Sequence, residues 1–184
     1  MLKTTELTHL LISYVIKEGS RVVDATAGNG HDTLFLSKLV GPNGKVYAYD
    51  IQEQAIINSK DLTKNQTNIE FFLKSHEFID QNNLDLVLFN LGFLPNGDKT
   101  ITTLCSTTIN SLKNLIANYN LNPNMYIFIV VYPGHNEGKI ESDELLKFTK
   151  NLPSNLLVTT YIPHNQNNAP YLITINKKQK SCIK

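Results

Sequence analysis

The chain has 184 residues, 41% of them hydrophobic and 18% charged, with a formal net charge of +1. That is one domain of ordinary size with enough apolar surface for a proper core. Its charge advertises no nucleic-acid, membrane or acidic partner as a whole, although a phosphate-binding surface can still be local. Cys105 and Cys182 lie far apart and match no metal or redox spacing, so both read as free thiols in a reducing compartment. No stretch is long and apolar enough to cross a bilayer. Glu6 and His9 interrupt the first residues, and no small-residue cleavage site follows, so no signal peptide is expected and the cytoplasm is the default location.

Leu7, Leu10, Leu11, Tyr14 and Val15 recur at helical spacing within an N-terminal segment over 1–20, and Gly19 stops that helix. Residues 22–36 follow, and the rest of the chain is organised around them. Val22 and Val23 suit a buried parallel strand. Gly28 and Gly30 permit a sharp turn and leave room for a ligand against the main chain. His31-Asp32-Thr33 then opens a helix whose Leu34, Phe35, Leu36 and Leu39 are available to pack on a sheet. Free helix N–H groups at the carboxyl end of a first strand are where open α/β sheets bind ligands. The glycines alone are equally the turn of any βα unit. Two details narrow the reading. Thr33 stands where a dinucleotide fingerprint wants a third glycine, and Asp24 places before the turn a carboxylate that repels pyrophosphate. A carboxylate suits instead the ammonium and sulfonium of S-adenosylmethionine (SAM).

After the turn Gly41-Pro42-Asn43-Gly44, Lys45 to Asp50 is a second strand. It ends in Asp50, about twenty residues past the glycine turn, where this architecture grips ribose hydroxyls. The alternative is an N-cap for the next helix, and the glycine turn and spacing favour ribose. Residues 51–64 read as that helix, with Ala55, Ile56 and Leu62 inward, and residues 68–74 as a third strand. Ser75 and His76, just past it, are candidate adenine contacts; a helix cap and a solvated histidine are the plainer reading.

Leu84 to Phe89 is a fourth strand, running into Asn90-Leu91-Gly92-Phe93 and on to Asp98-Lys99. An asparagine at a strand's carboxyl tip, beside a tight turn with an aromatic, resembles the Asn-Pro-Pro-Tyr type site of amino-methylating enzymes. In such a site the amide oxygen accepts a hydrogen bond from the target amine, and an aromatic such as Phe93 stacks on a flat base. The plain alternative makes Asn90 a turn cap and Phe93 core. A long helix over 100–119 and a continuously apolar strand over 125–132 follow, the latter central and covered on both faces. It ends in Pro133-Gly134-His135, where His135 is either a proton acceptor at a substrate mouth or a solvated loop residue. Residues 140–152 read as an amphipathic helix, and 156–162 and 171–175 as two strands around an amide-rich loop, 163–170. The tail over 177–184 is basic. Alternating β and α elements closed by a hairpin give an α/β fold.

Three stretches, 24–36, 89–99 and 132–138, resemble a family of small methyltransferases labelled "putative rRNA methylases", across nearly the whole chain. Members are associated with tRNA 5-(aminomethyl)-2-thiouridine methyltransferase, which forms the methylaminomethyl group on the wobble uridine. The family often has tyrosine where this chain has Phe93 and glycine where it has Asn96, so no role should rest on a hydroxyl at 93. The resemblance implies a Rossmann-like class I SAM-dependent methyltransferase, with a single mostly parallel seven-stranded sheet and helices on both faces. It also implies tRNA as partner through its anticodon region, no membrane, no metal, and a lean toward a homodimer. For the cofactor it implies Asp24 and the Gly28–Gly30 turn at the methionine part with Asn29 and Asp32 beside it, Asp50 and Gln52 at the ribose, and Ser75 and His76 near the adenine. For the substrate it implies Asn90 orienting the amine, Asp98 or His135 helping remove the proton, and Phe93 and Lys99 as contacts. The alternatives are a SAM enzyme acting on rRNA, a protein or a small amine, and a non-catalytic RNA-binding module on the same fold.

Overall fold

A computed structural model of the chain describes residues 3–92, 105–117, 124–134 and 136–178. The elements run α1 (Thr4–Val15), β1 (Arg21–Asp24), α2 (His31–Val40), β2 (Lys45–Asp50), α3 (Glu53–Leu62) and β3 (Ile69–Leu73). A 3₁₀ turn at His76–Phe78 leads to β4 (Leu86–Asn90), α4 (Cys105–Ala117), β5 (Tyr126–Val131), α5 (Asn136–Lys150), β6 (Leu156–Tyr161) and β7 (Tyr171–Lys177). The seven strands form one sheet in the order β3-β2-β1-β4-β5-β7-β6. The first five pair in parallel, whereas β7 is antiparallel to both β5 and β6. The expected α/β architecture with a mostly parallel seven-stranded sheet is therefore observed.

Period-two alternation sorts the strand side chains into two cores. Val22, Val46, Leu86, Leu88 and Phe128 pack with Ile12 and Ile16 near α1 and with Leu36 and Val40 of α2. Val23, Val87, Phe89, Ile127 and Ile129 face the other way, onto Leu112 and Leu115 of α4 and Leu145 of α5. β1, β2, β4 and β5 are covered on both faces, which is why they read as near-continuous apolar runs.

This topology places the site. From β1 the chain winds through β2 and β3 toward one edge; from β4 it winds toward the other. The carboxyl tips of β1 and β4 are thus neighbours at the point where winding direction reverses, where such sheets open a crevice. Asn90 is itself the last residue of β4, paired with Val130 of β5, so its backbone is fixed by the ladder.

Several boundaries differ from the sequence expectations. In α1 the inward residues are Thr8 and Ile12, whereas Leu10 and Tyr14 are exposed. Thr8 tolerates burial because its hydroxyl donates to the Thr4 carbonyl at 2.8 Å. Leu62, expected inward, is 41% exposed because it lies at the last turn of α3, beyond the buried Ala55, Ile56 and Ser59. Helix α5 begins at Asn136, four residues before the amphipathic pattern, with Glu137 in its first turn favouring the positive helix end. The helix expected over 100–119 is observed as α4 from Cys105 to Ala117; its expected ends lie outside the described residues. Among the described residues no helix is long and apolar enough to cross a membrane.

Candidate active site

The glycine turn is tied to both neighbouring strands. Ala25 N–H donates to the Leu88 carbonyl of β4, and Ala27 N–H to the Tyr49 carbonyl of β2, each at 2.8 Å. Gly28 and Gly30 adopt φ of +52° and +85°, the left-handed region open to glycine at little cost. Gly30 is also packed: a Cβ there would lie 2.7 Å from Ser59 Cα of α3. Gly28 is half-buried at the rim, and its N–H donates to Asp50 Oδ2 at 2.9 Å. Asp50 Oδ1 accepts from Gln52 N–H, also at 2.9 Å. Asp50 therefore clamps the turn to the end of β2. Each of its oxygens keeps a lone pair for a further donor such as a ribose hydroxyl. The N-cap of α3 is Gln52, half-buried, with no side-chain cap bond.

Asp24 lies beneath the turn at 0% exposure. Its Oδ2 accepts from the Thr33 hydroxyl at 2.6 Å and its Oδ1 from Thr26 N–H at 3.2 Å. Burial pushes its pKa up to about 7, and the Asp32 charge pushes the same way, against the two hydrogen bonds. The residue that stands in place of a third fingerprint glycine, Thr33, is thus a partner of the buried carboxylate.

Asp32, in the first turn of α2, is engaged at both oxygens. Oδ1 meets His9 Nε2 of α1 at 2.6 Å, and Oδ2 accepts from Asn90 Nδ2 at 2.8 Å. The His9 ring stacks on Phe35, with centroids 3.9 Å apart and planes 6° from parallel. Asn90 N–H donates to the Thr26 hydroxyl at 2.8 Å. Burial raises the Tyr132 hydroxyl above the ordinary tyrosine range, and the Asp32 charge adds to this. The Asn90 side chain works the other way. Asn29 Oδ1, at the rim, accepts from Asn58 Nδ2 of α3 at 2.9 Å.

Ser75 caps the 3₁₀ turn through Glu77 N–H at 3.2 Å and is half-buried near the tip of β3. His76 is turned inward rather than solvated, 7% exposed and edge-on to Phe89. Its Nδ1 bonds the Ala25 carbonyl at 3.2 Å; a carbonyl only accepts, so Nδ1 carries the proton and the ring supports the loop after β1. Nε2 is buried without a partner among the described residues, and burial lowers the ring's pKa, keeping it neutral. Phe93, Asp98, Lys99 and His135 lie outside the described residues.

The strand tips thus bring together Asp24, Gly28, Asn29, Gly30, Asp32, Asp50, Gln52 and Asn90. Sequence reasoning missed His9, Thr26, Thr33 as a hydrogen-bond donor, and Tyr132. The donor set fits SAM. A buried carboxylate under a backbone cradle suits a cationic methionine end, and a second carboxylate at the tip of β2 suits ribose hydroxyls. The Asp24 carboxylate beneath the turn disfavours a dinucleotide pyrophosphate, whereas Asp50 suits a ribose in either ligand.

Residues 46–177 match the family model described as "Putative rRNA methylase". A relative from Arabidopsis thaliana, named tRNA (mnm(5)s(2)U34)-methyltransferase, chloroplastic, is 37% identical over 96% of this chain and 70% of its own length. The chain belongs to this methylase family. Two solved structures fit nearly end to end. A "putative rRNA-methylase" from Clostridium thermocellum superposes with a TM-score of 0.90 at 35% identity, covering 97% of this chain and 99% of its own. A "putative methyltransferase" from Streptococcus mutans, solved in complex with SAH, gives 0.84 at 33% identity over the same shares. The methylase is accordingly a SAM-dependent enzyme with the Rossmann-like class I fold.

Proposed function

We propose that this methylase transfers a methyl group from SAM to the 5-aminomethyl group of 5-aminomethyl-2-thiouridine at the tRNA wobble position, giving the methylaminomethyl form. The observation that carries the reading is Asn90. It is an amide at the tip of β4, anchored by Asp32 and Thr26, one loop away from the glycine cradle. The Arabidopsis relative, named for that wobble position, supports the tRNA substrate.

When bound, SAM supplies an electrophilic methyl group: the N–C bond forms as the C–S bond breaks and the electron pair goes to sulfur. The residues of the chain bind and orient. Asp24 and the Gly28–Gly30 turn take the methionine part with Asn29 beside them, Asp50 and Gln52 the ribose, and Ser75 the adenine side with His76 behind the loop. The target amine must be neutral to attack. Asn90 Oδ1 accepts one of its N–H groups, leaving the lone pair directed at the methyl group. Positioning of this kind supplies much of the rate. The proton released by the new secondary ammonium passes to solvent or to Asp98 or His135, and Phe93 and Lys99 hold the anticodon loop. A cytoplasmic enzyme acting on tRNA, as a monomer or homodimer, fits this reading.

The test is methyl transfer from tritiated SAM into tRNA from cells lacking the terminal methylation, with fully modified tRNA and rRNA alongside. Label in the first substrate alone is expected. Label in rRNA instead, or transfer to the fully modified tRNA at an equal rate, would move the substrate elsewhere.

A further inference from the structure

The hydrogen bonds around Asn90 define which way its amide faces. A carboxylate only accepts, so the 2.8 Å contact with Asp32 Oδ2 must come from the Asn90 NH₂ group. The NH₂ group is thus the end of the amide that Asp32 holds. Oδ1 points away from Asp32 and accepts from none of the described residues. Asp32 is itself held at its other oxygen by His9 Nε2 at 2.6 Å, and the His9 ring is fixed by its stack on Phe35. His9 and Asp32 are respectively 31% and 14% exposed at the side chain, so the chain of contacts is partly shielded from water. It links α1 to the N-terminus of α2 and on to the tip of β4, three elements that no local sequence signal connects.

We propose that Asp32 and His9 are positioning residues that lock the Asn90 amide with its oxygen toward the substrate amine. The inference rests on the reading of Asn90 given above. It reassigns Asp32 from the methionine part of the cofactor to the substrate side of the site. Without Asp32 the amide is free to rotate by half a turn, and the flipped form presents NH₂ to an amine that needs an acceptor. Without the His9 donor, Asp32 loses its second anchor and the lock loosens.

The test combines kinetics on tRNA carrying 5-aminomethyl-2-thiouridine with calorimetric SAM binding, at pH 8. At that pH the Asp24 carboxylate is ionised with or without the Asp32 charge beside it. Asp32→Ala and His9→Phe, which keeps the ring stack, are expected to lower kcat roughly ten- to a hundredfold, the scale for a misplaced reacting group. SAM affinity should stay within about twofold. His9→Gln, which keeps an N–H donor at similar reach, should restore most of kcat. In the Asn90→Ala background, Asp32→Ala should cost nothing further, because residues acting through one group are not additive. Spectra of ¹⁵N-asparagine-labelled protein test the contact without any substrate: the Asn90 amide proton pair should shift in Asp32→Ala. Weakened SAM binding with kcat intact, losses that multiply in the double variant, or an unmoved Asn90 signal each overturn the proposal. Full activity in Asn90→Ala alone overturns the underlying reading of the site as well. Should Asp32→Ala fail to fold, His9→Phe and His9→Gln decide the matter by the same kinetics.

Discussion

Asp24 offers a pH signature that can be worked out in advance. Its pKa in the folded chain is about 7 against an ordinary 3.8, chiefly because burial disfavours the charged form. A raised carboxylate pKa means that the folded state holds its proton longer than the unfolded state. Stability is therefore lost as pH rises from about 4 to about 7, and the ionised group then costs about 4 kcal/mol at pH 8. Asp24→Asn removes the ionisation and keeps the shape. Its oxygen can accept from Thr26 N–H, and its NH₂ can donate to the Thr33 hydroxyl oxygen. Urea denaturation of the ligand-free protein should find the variant more stable by about 2 kcal/mol at pH 5 and about 4 kcal/mol at pH 8, as upper bounds. The same charge serves binding. A cationic methionine end favours ionised Asp24, so SAM affinity of the native chain should fall about tenfold from pH 8 to pH 6, as the carboxylate protonates. The variant should bind SAM weakly at both, with a flat profile. A stability difference that does not grow with pH, or a native SAM affinity that is flat across this range, would refute the reasoning.

Other expectations follow from the same geometry. Thr33→Val removes a hydrogen bond that lowers the Asp24 pKa, so the rise of SAM affinity with pH should move to higher pH in calorimetric titrations. Gly30→Ala places a methyl group 2.7 Å from Ser59 Cα at a φ of +85°, and should lower the melting temperature and weaken SAM binding together. Asp50→Ala frees the Gly28 and Gln52 N–H groups that the carboxylate holds, and should weaken SAM affinity by roughly tenfold or more and lower the stability in urea denaturation by about 1–3 kcal/mol.

The parts of this site that the sequence makes legible are local. The Asp24-to-Gly30 turn declares itself because left-handed backbone needs glycine, and because a carboxylate before such a turn excludes a pyrophosphate. β2 ends at Asp50 as read, since an apolar strand closing on a polar residue has a sharp boundary. What stays hidden depends on packing between distant segments. His9 is 23 residues from Asp32, and on α1 it looks like any half-exposed polar residue. Its role exists only because α1 packs beside the start of α2. Leu10 and Tyr14 mislead for the converse reason: their spacing matches a helix face, yet the sheet receives the face carrying Thr8 and Ile12. His76 is ambiguous by sequence, because neither its inward turn nor its bond to the Ala25 carbonyl is encoded near it.

The central claim is that a wobble aminomethyl group is the methyl acceptor. It is tested most directly by incubating tRNA from cells lacking the terminal methylation with the protein and SAM, then digesting the tRNA and separating nucleosides by mass spectrometry. 5-Aminomethyl-2-thiouridine should disappear as its methylaminomethyl form, one methylene heavier, appears in equal amount. An unchanged nucleoside profile from a protein that binds SAM would contradict the claim.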